Sequence, residues 1–153
     1  MIVYRLCKQE YVNDLSGRGA EINGGRWNDK GMAALYTANS RALAVLEVAV
    51  HVPFGIIPIN YFMVAIDIPD GADITEIKLS DLPTNWNRNP IVKRTQEMGD
   101  GFLKDNKHLA LKVPSATIPA EHNYLINPRH PDFKNVKVLF SEPFEFDSRL
   151  FKK

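Results

Sequence analysis

The sequence predicts an α+β fold built mostly of strands, and three observations carry that prediction. Several short runs are rich in β-branched and aromatic residues or alternate apolar with polar residues at a period of two. Only two stretches combine the length and apolar spacing of a helix. Strands and helices do not alternate regularly, which argues against a doubly wound parallel sheet.

Taken in order, residues 1–7 open with a strand, because Ile2, Tyr4 and Leu6 alternate against Val3 and Arg5. Residues 8–29 contain Gly17, Gly19, Gly24 and Gly25, whose backbone entropy opposes a regular helix, so a long shaped loop is expected. The run AALYTA at 33–38 reads as a short strand. Asn39 and Ser40 then supply an N-cap for a helix reaching about residue 51, which Pro53 stops. The clearest strand is YFMVAIDI at 61–68, closed by a Pro-Asp-Gly turn. Pro90 opens a second helix over 91–106, with Val92, Thr95, Met98, Phe102 and Leu103 on one face and Gly99 and Gly101 weakening it. Short strands are expected at 109–113, 124–126 and 136–140, separated by proline-bearing turns. Neither repeat nor linker interrupts the chain, so one domain over 1–153 is expected.

Of its 153 residues, 44% are hydrophobic and 24% charged, enough to bury a core without disulfides or metal. Cys7 has no second cysteine to pair with, which suits a reducing, cytoplasmic compartment. A net charge of +1 supplies no general field for nucleic acid or an anionic membrane, so any anion site must be local. The longest apolar stretch, residues 42–50, falls far short of the ~20 residues needed to span a bilayer. The start MIVYRLCKQE lacks the pattern of a signal peptide. The four histidines show no metal-ligand spacing, and Ser115 is not in a nucleophile elbow.

Glu47 is the most informative residue, because it interrupts a helix that is apolar almost all round. Its carboxylate must protonate, find a partner or face a cleft, unless it occupies a narrow solvent-facing stripe. His51, one turn later, is a candidate partner. Arg26 follows Gly24-Gly25, where a planar guanidinium and close backbone approach suit phosphate; packing on Trp27 in a surface turn is the alternative. Tyr36 could stack on a ligand ring or simply pack, and Ser115 could reach a ligand or satisfy a turn. A ribonuclease using Glu47, His51 and Arg26 is one reading, although the basic strip that RNA favours is missing. A binding module docking through the aromatic tail FSEPFEFDSRLF at 140–151 is another, although that tail could equally be an edge strand.

Three blocks, GGRWNDKGMAALYTANSRALAVLEVAVH (24–51), TQEMGDGFL (95–103) and VPSATIPAEHNYLINPRHPDF (113–133), resemble the RES-domain toxins of bacterial Xre/RES toxin–antitoxin pairs. That resemblance implies an α+β fold similar to the diphtheria-toxin type of ADP-ribosyltransferase, with NAD as substrate and no separate cofactor. It assigns the family's arginine, glutamate and serine to Arg26, Glu47 and Ser115, and its tyrosine to Tyr36. Asn123, in NYLINP, joins them as an NAD-binding residue. On this reading Glu47 stabilises positive charge developing on the ribose as the nicotinamide bond breaks, and Arg26 neutralises the pyrophosphate. Tyr36 stacks on nicotinamide, and Ser115 orients the nicotinamide-ribose end. The expected reaction is NAD hydrolysis or phosphorolysis, with ADP-ribosylation of a protein as the alternative. The resemblance also implies an Xre-type antitoxin as partner, DNA contact left to that antitoxin, and a homodimer within the complex.

Overall fold

The computed structural model describes residues 1–152. Seven strands and three α-helices follow one another among these residues: β1 (Ile2–Lys8), α1 (Arg18–Asn23), β2 (Leu35–Ala38), α2 (Arg41–Ala49), β3 (Tyr61–Asp67), β4 (Ile74–Glu76), α3 (Lys93–Asp105), β5 (Ala110–Pro114), β6 (His122–Ile126) and β7 (Lys137–Phe144). The strands make one sheet in the order β4-β5-β6-β2-β1-β3-β7, antiparallel throughout except where β4 runs parallel to β5. The architecture is α+β, as the sequence predicts.

Local chemistry explains most boundaries. The Ser40 side chain accepts the Leu43 N–H and caps α2, whose last residue stands four positions before Pro53. α3 ends at Asn106, which takes a left-handed conformation that an asparagine tolerates. Two expectations need correction. The glycine-rich stretch is not loop throughout, because Arg18–Asn23 forms a short helix. Gly19 lies within that helix, while Gly17 and Gly24 adopt positive φ at its boundaries. Of the two readings of the aromatic tail, the edge strand holds and the free docking segment does not. β7 is an edge strand, and beyond it Phe146 packs edge-to-face against Tyr61, Phe144 and Phe151, with Phe146 and Phe151 buried.

Register fixes what each face of the sheet carries. Tyr4 lies opposite Ala38, Ala38 opposite Asn123, and Tyr36 opposite Leu125, which places these side chains on one face. At one end of that face Leu43 and Ala44 of α2 pack on Leu6, Ala38 and Met63. At the other, Phe102 and Leu103 of α3 pack with Trp27, Trp86, Leu111 and Leu125. The opposite face buries Val3, Ile66 and Ile126 beneath Val12, Leu15 and Phe133. Burying a side chain such as Leu43 or Leu125 contributes about 2 kcal/mol. Because α2 and α3 cover separate halves of one face, a hollow is left between them.

Candidate functional site

That hollow is a cleft of about 670 Å³, within the range of small-molecule sites. Its lining includes Arg26, Tyr36, Glu47 and Asn123, so four of the five residues singled out from sequence share one cavity. Ser115 is fully buried behind it.

Glu47 reaches the cleft from the middle of α2 and is only half-buried, yet one of its oxygens is firmly held. The Ser115 hydroxyl donates to Glu47 Oε1 at 2.6 Å, and Asn123 Nδ2 donates to the same oxygen at 2.8 Å. Ser115 Oγ in turn accepts the backbone N–H groups of Thr117 and Ile118, both at 3.1 Å. The serine therefore does not present its hydroxyl to a ligand. The expected contact with the nicotinamide-ribose end gives way to a buried hydroxyl that holds Glu47. His51 lines the same cleft, but the donors found on Glu47 are Ser115 and Asn123 rather than His51.

Arg26 is placed by the short turn in which Gly25 pairs with Asn28. Its Nη1 donates to the carbonyls of Trp86 and Arg88, at 2.8 and 3.1 Å, and Nη2 donates to Asn89 Oδ1 at 3.2 Å. The guanidinium thus ties residues 24–28 to residues 86–89, while Nε–H has no partner among the described residues. Burial pulls its pKa down, against the opposing pull of Glu47 and Tyr36. A desolvated arginine with an unspent donor edge suits an anion.

Tyr36 spends its hydroxyl on the same turn. It accepts the Trp27 N–H at 3.0 Å and donates to Asn28 Oδ1 at 2.7 Å. Burial pushes the phenol pKa well above its usual 10. Its hydroxyl therefore orders the Arg26 turn, and its ring lines the cleft wall. Gly25 makes room for this, since a β-carbon there would stand 2.7 Å from the Tyr36 hydroxyl.

Several supporting residues carry no local signal in the sequence. Asn28 is fully buried, and its Nδ2 donates to the carbonyls of Ala20, Asp29 and Met32. Gln96 of α3 donates to the Gly25 carbonyl at 3.0 Å. Gly99 lets α3 lie directly on the Trp27 backbone. Arg5, Asn87 and Asn89 also line the cleft. Among the described residues, no group of three or more His, Cys, Asp or Glu side chains could hold a metal ion, and no helix is long and apolar enough to cross a membrane.

Residues 2–147 match the RES domain family. The chain is 40% identical over 144 residues to the "Prs ADP-ribosylating toxin" of Sphingobium sp. (strain YBL2), a match covering 93% of this chain and 89% of that protein. It is 38% identical over 152 residues to the "Toxin Res" of Yersinia enterocolitica, covering 98% and 99% of the two chains. Its fold is shared with a chain in the crystal structure of the M. tuberculosis MbcT-MbcA toxin-antitoxin complex, at a TM-score of 0.75 and 18% identity over 98% of this chain and 86% of that one. The chain belongs to the RES domain family.

Proposed function

We propose that this RES-family chain is the toxin of a toxin–antitoxin pair and that it destroys NAD by cleaving the nicotinamide–ribose bond. The observation that carries the reading is the Glu47 carboxylate, held at one oxygen by Ser115 and Asn123 in a cleft that also holds the Arg26 guanidinium. Breaking the glycosidic bond sends its electron pair to nicotinamide and leaves oxocarbenium-like charge on the ribose. A fixed carboxylate stabilises that charge and takes a ribose hydroxyl hydrogen bond through its remaining oxygen, Oε2. Arg26 meets the pyrophosphate through its unspent edge, and the Tyr36 ring stacks on nicotinamide. Water then gives ADP-ribose plus a proton, or inorganic phosphate gives the phosphorylated ADP-ribose. NAD is substrate throughout, and no further cofactor is required.

The partner in this reading is an antitoxin of Xre type that covers the cleft, consistent with the complex to which the fold is similar. The site of action is the cytoplasm, where NAD is available. A second reading shares the first step and differs in the acceptor: the name of the Sphingobium relative favours transfer of ADP-ribose to a protein side chain.

Time-resolved NMR of purified chain with NAD, with and without phosphate, tests the proposal. Free nicotinamide is expected from wild type, and its partner product names the acceptor. Glu47→Gln keeps the side chain's size but removes the charge, and should lose most turnover. Equal NAD consumption by wild type and Glu47→Gln would overturn the reading. Intact NAD with purified chain, followed by labelling of a protein in bacterial extract, would move the assignment to the transferase.

A further inference from the structure

We infer that Asn123 is a positioning residue for Glu47, one that forces the working lone pairs of the carboxylate onto Oε2, and that the fold retains it at a cost in stability. The inference rests on the proposed role of Glu47 and goes beyond it, because it makes Asn123 act through the carboxylate instead of on NAD. Ser115 sets the first constraint. Its oxygen already accepts two backbone N–H groups, so its hydroxyl proton is committed to Glu47 Oε1. Asn123 Nδ2 has only protons to offer. Both neighbours of Oε1 are therefore obligate donors. Two donors occupy Oε1, which leaves Oε2 as the carboxylate oxygen free to face substrate.

The cost lies at the other end of the same amide. Asn123 Oδ1 is shielded from solvent and has no hydrogen-bond partner among the described residues. An unsatisfied buried acceptor destabilises a fold, a cost set against the charge-assisted bond that the same amide gives Glu47. Packing alone gives no reason for an asparagine here, opposite Ala38 and Val113 in the sheet. The bond to Glu47 does give one. The charged and titratable groups lining the cleft with Glu47 are Arg26 from the glycine turn, Tyr4 and Arg5 of β1, Tyr36 of β2, and His51 in the turn just past α2. None of them is a second carboxylate, so replacing Asn123 by an acid introduces a new interaction at Oε1.

Two variants test this with Glu47→Gln as reference. Asn123→Leu removes the unpaired acceptor and the bond to Glu47 together, so it should melt within about 4 °C of wild type, while kcat falls about 10²-fold, the scale expected of a misplaced catalytic group. Its KM should stay within about threefold, because on this inference Asn123 acts on Glu47 Oε1 and not on NAD. Asn123→Asp places two carboxyls at one hydrogen-bond distance, which titrate as a pair. With one proton shared, the acid can still donate to Oε1, so activity persists. Once that proton leaves, two like charges face each other and turnover drops, giving a falling alkaline limb that wild type lacks. Should Asn123→Leu unfold, this limb still decides the matter.

Three results would overturn the inference: Asn123→Leu with raised KM and unchanged kcat, full activity in both variants, or an Asn123→Asp profile of wild-type shape. Those failures are recognised by an inactive Glu47→Gln. An active Glu47→Gln instead removes the proposed role of Glu47 itself.

Discussion

Replacing Gly99 by alanine should damage the fold and the site together, although it adds a single methyl group to a helix. A β-carbon there would lie 1.7 Å from the Trp27 carbonyl oxygen and 2.6 Å from its carbonyl carbon. Non-bonded heavy atoms settle near ~3.5 Å, so the helix or the turn must retreat by about 1.8 Å. Neither can do so by rotating a side chain, because the obstacle is backbone. Overpacking costs about 1–3 kcal/mol, and this case belongs at the upper end. For a chain of this size each kcal/mol moves Tm by roughly 2–4 °C, so Gly99→Ala should melt about 6–12 °C lower. Retreat of α3 also withdraws Gln96 from the Gly25 carbonyl, so NAD turnover should fall even in the cold. Gly101, two residues along the same helix, is the control. A β-carbon there meets nothing within 4 Å, so Gly101→Ala should gain helix propensity and raise Tm by roughly 2–4 °C. Melting followed by circular dichroism checks both. A Gly99→Ala chain that melts within about 2 °C of wild type, or a Gly101→Ala chain that falls as far as Gly99→Ala, would refute the steric explanation.

Tyr36→Phe removes the acceptor of the Trp27 N–H and the donor to Asn28 Oδ1, so it should lose about 1–3 kcal/mol near neutral pH, read from denaturant melts. Its pH dependence has a definite sign. Burial raises the folded phenol above the unfolded value of 10.0, so the tyrosine's titration contributes stability below pH 10 that is lost as pH climbs from there toward the folded value. Wild type should therefore lose stability above pH 10 more steeply than Tyr36→Phe, by at most ~1.4 kcal/mol per pH unit; parallel slopes would contradict the buried phenol. Arg26→Lys keeps the charge but not the planar fork that ties residues 24–28 to residues 86–89. The KM for NAD should rise about 10-fold or more in steady-state kinetics, and an unchanged KM would remove Arg26 from the anion site.

Much of this molecule can be read along the chain. The period-two run locates β1, the long β-rich run YFMVAIDI locates β3, the Ser40 cap and Pro53 bracket α2, and an acid stranded in an otherwise apolar helix marks Glu47. Those signals are local, written within one turn of helix or one stretch of strand. The resemblance carried by GGRWN, LYTA and VPSA extends them to Arg26, Tyr36 and Ser115, but a motif names residues without saying what each one touches.

What each one touches was decided by the sheet. Ser115 and Asn123 stand 68 and 76 positions from Glu47, and Arg26 stands 60 positions from the Trp86 carbonyl it holds. No periodicity spans such separations, because they are set by strand order and register, which bring β6 beside β2 and the end of β5 behind α2. The short strand β4 has no local signature for a related reason: its three residues gain their identity from parallel pairing with β5, not from composition. Gly99 shows the same division most sharply. Along the chain it is a flaw in a helix; in the fold its missing side chain lets α3 rest on the backbone of Trp27. Sequence determined which segments could be strands and helices and which side chains had the chemical groups a site could use. Tertiary structure decided which of those residues face the cleft and which stand behind it, because hydrogen-bond partners are chosen by distance in space.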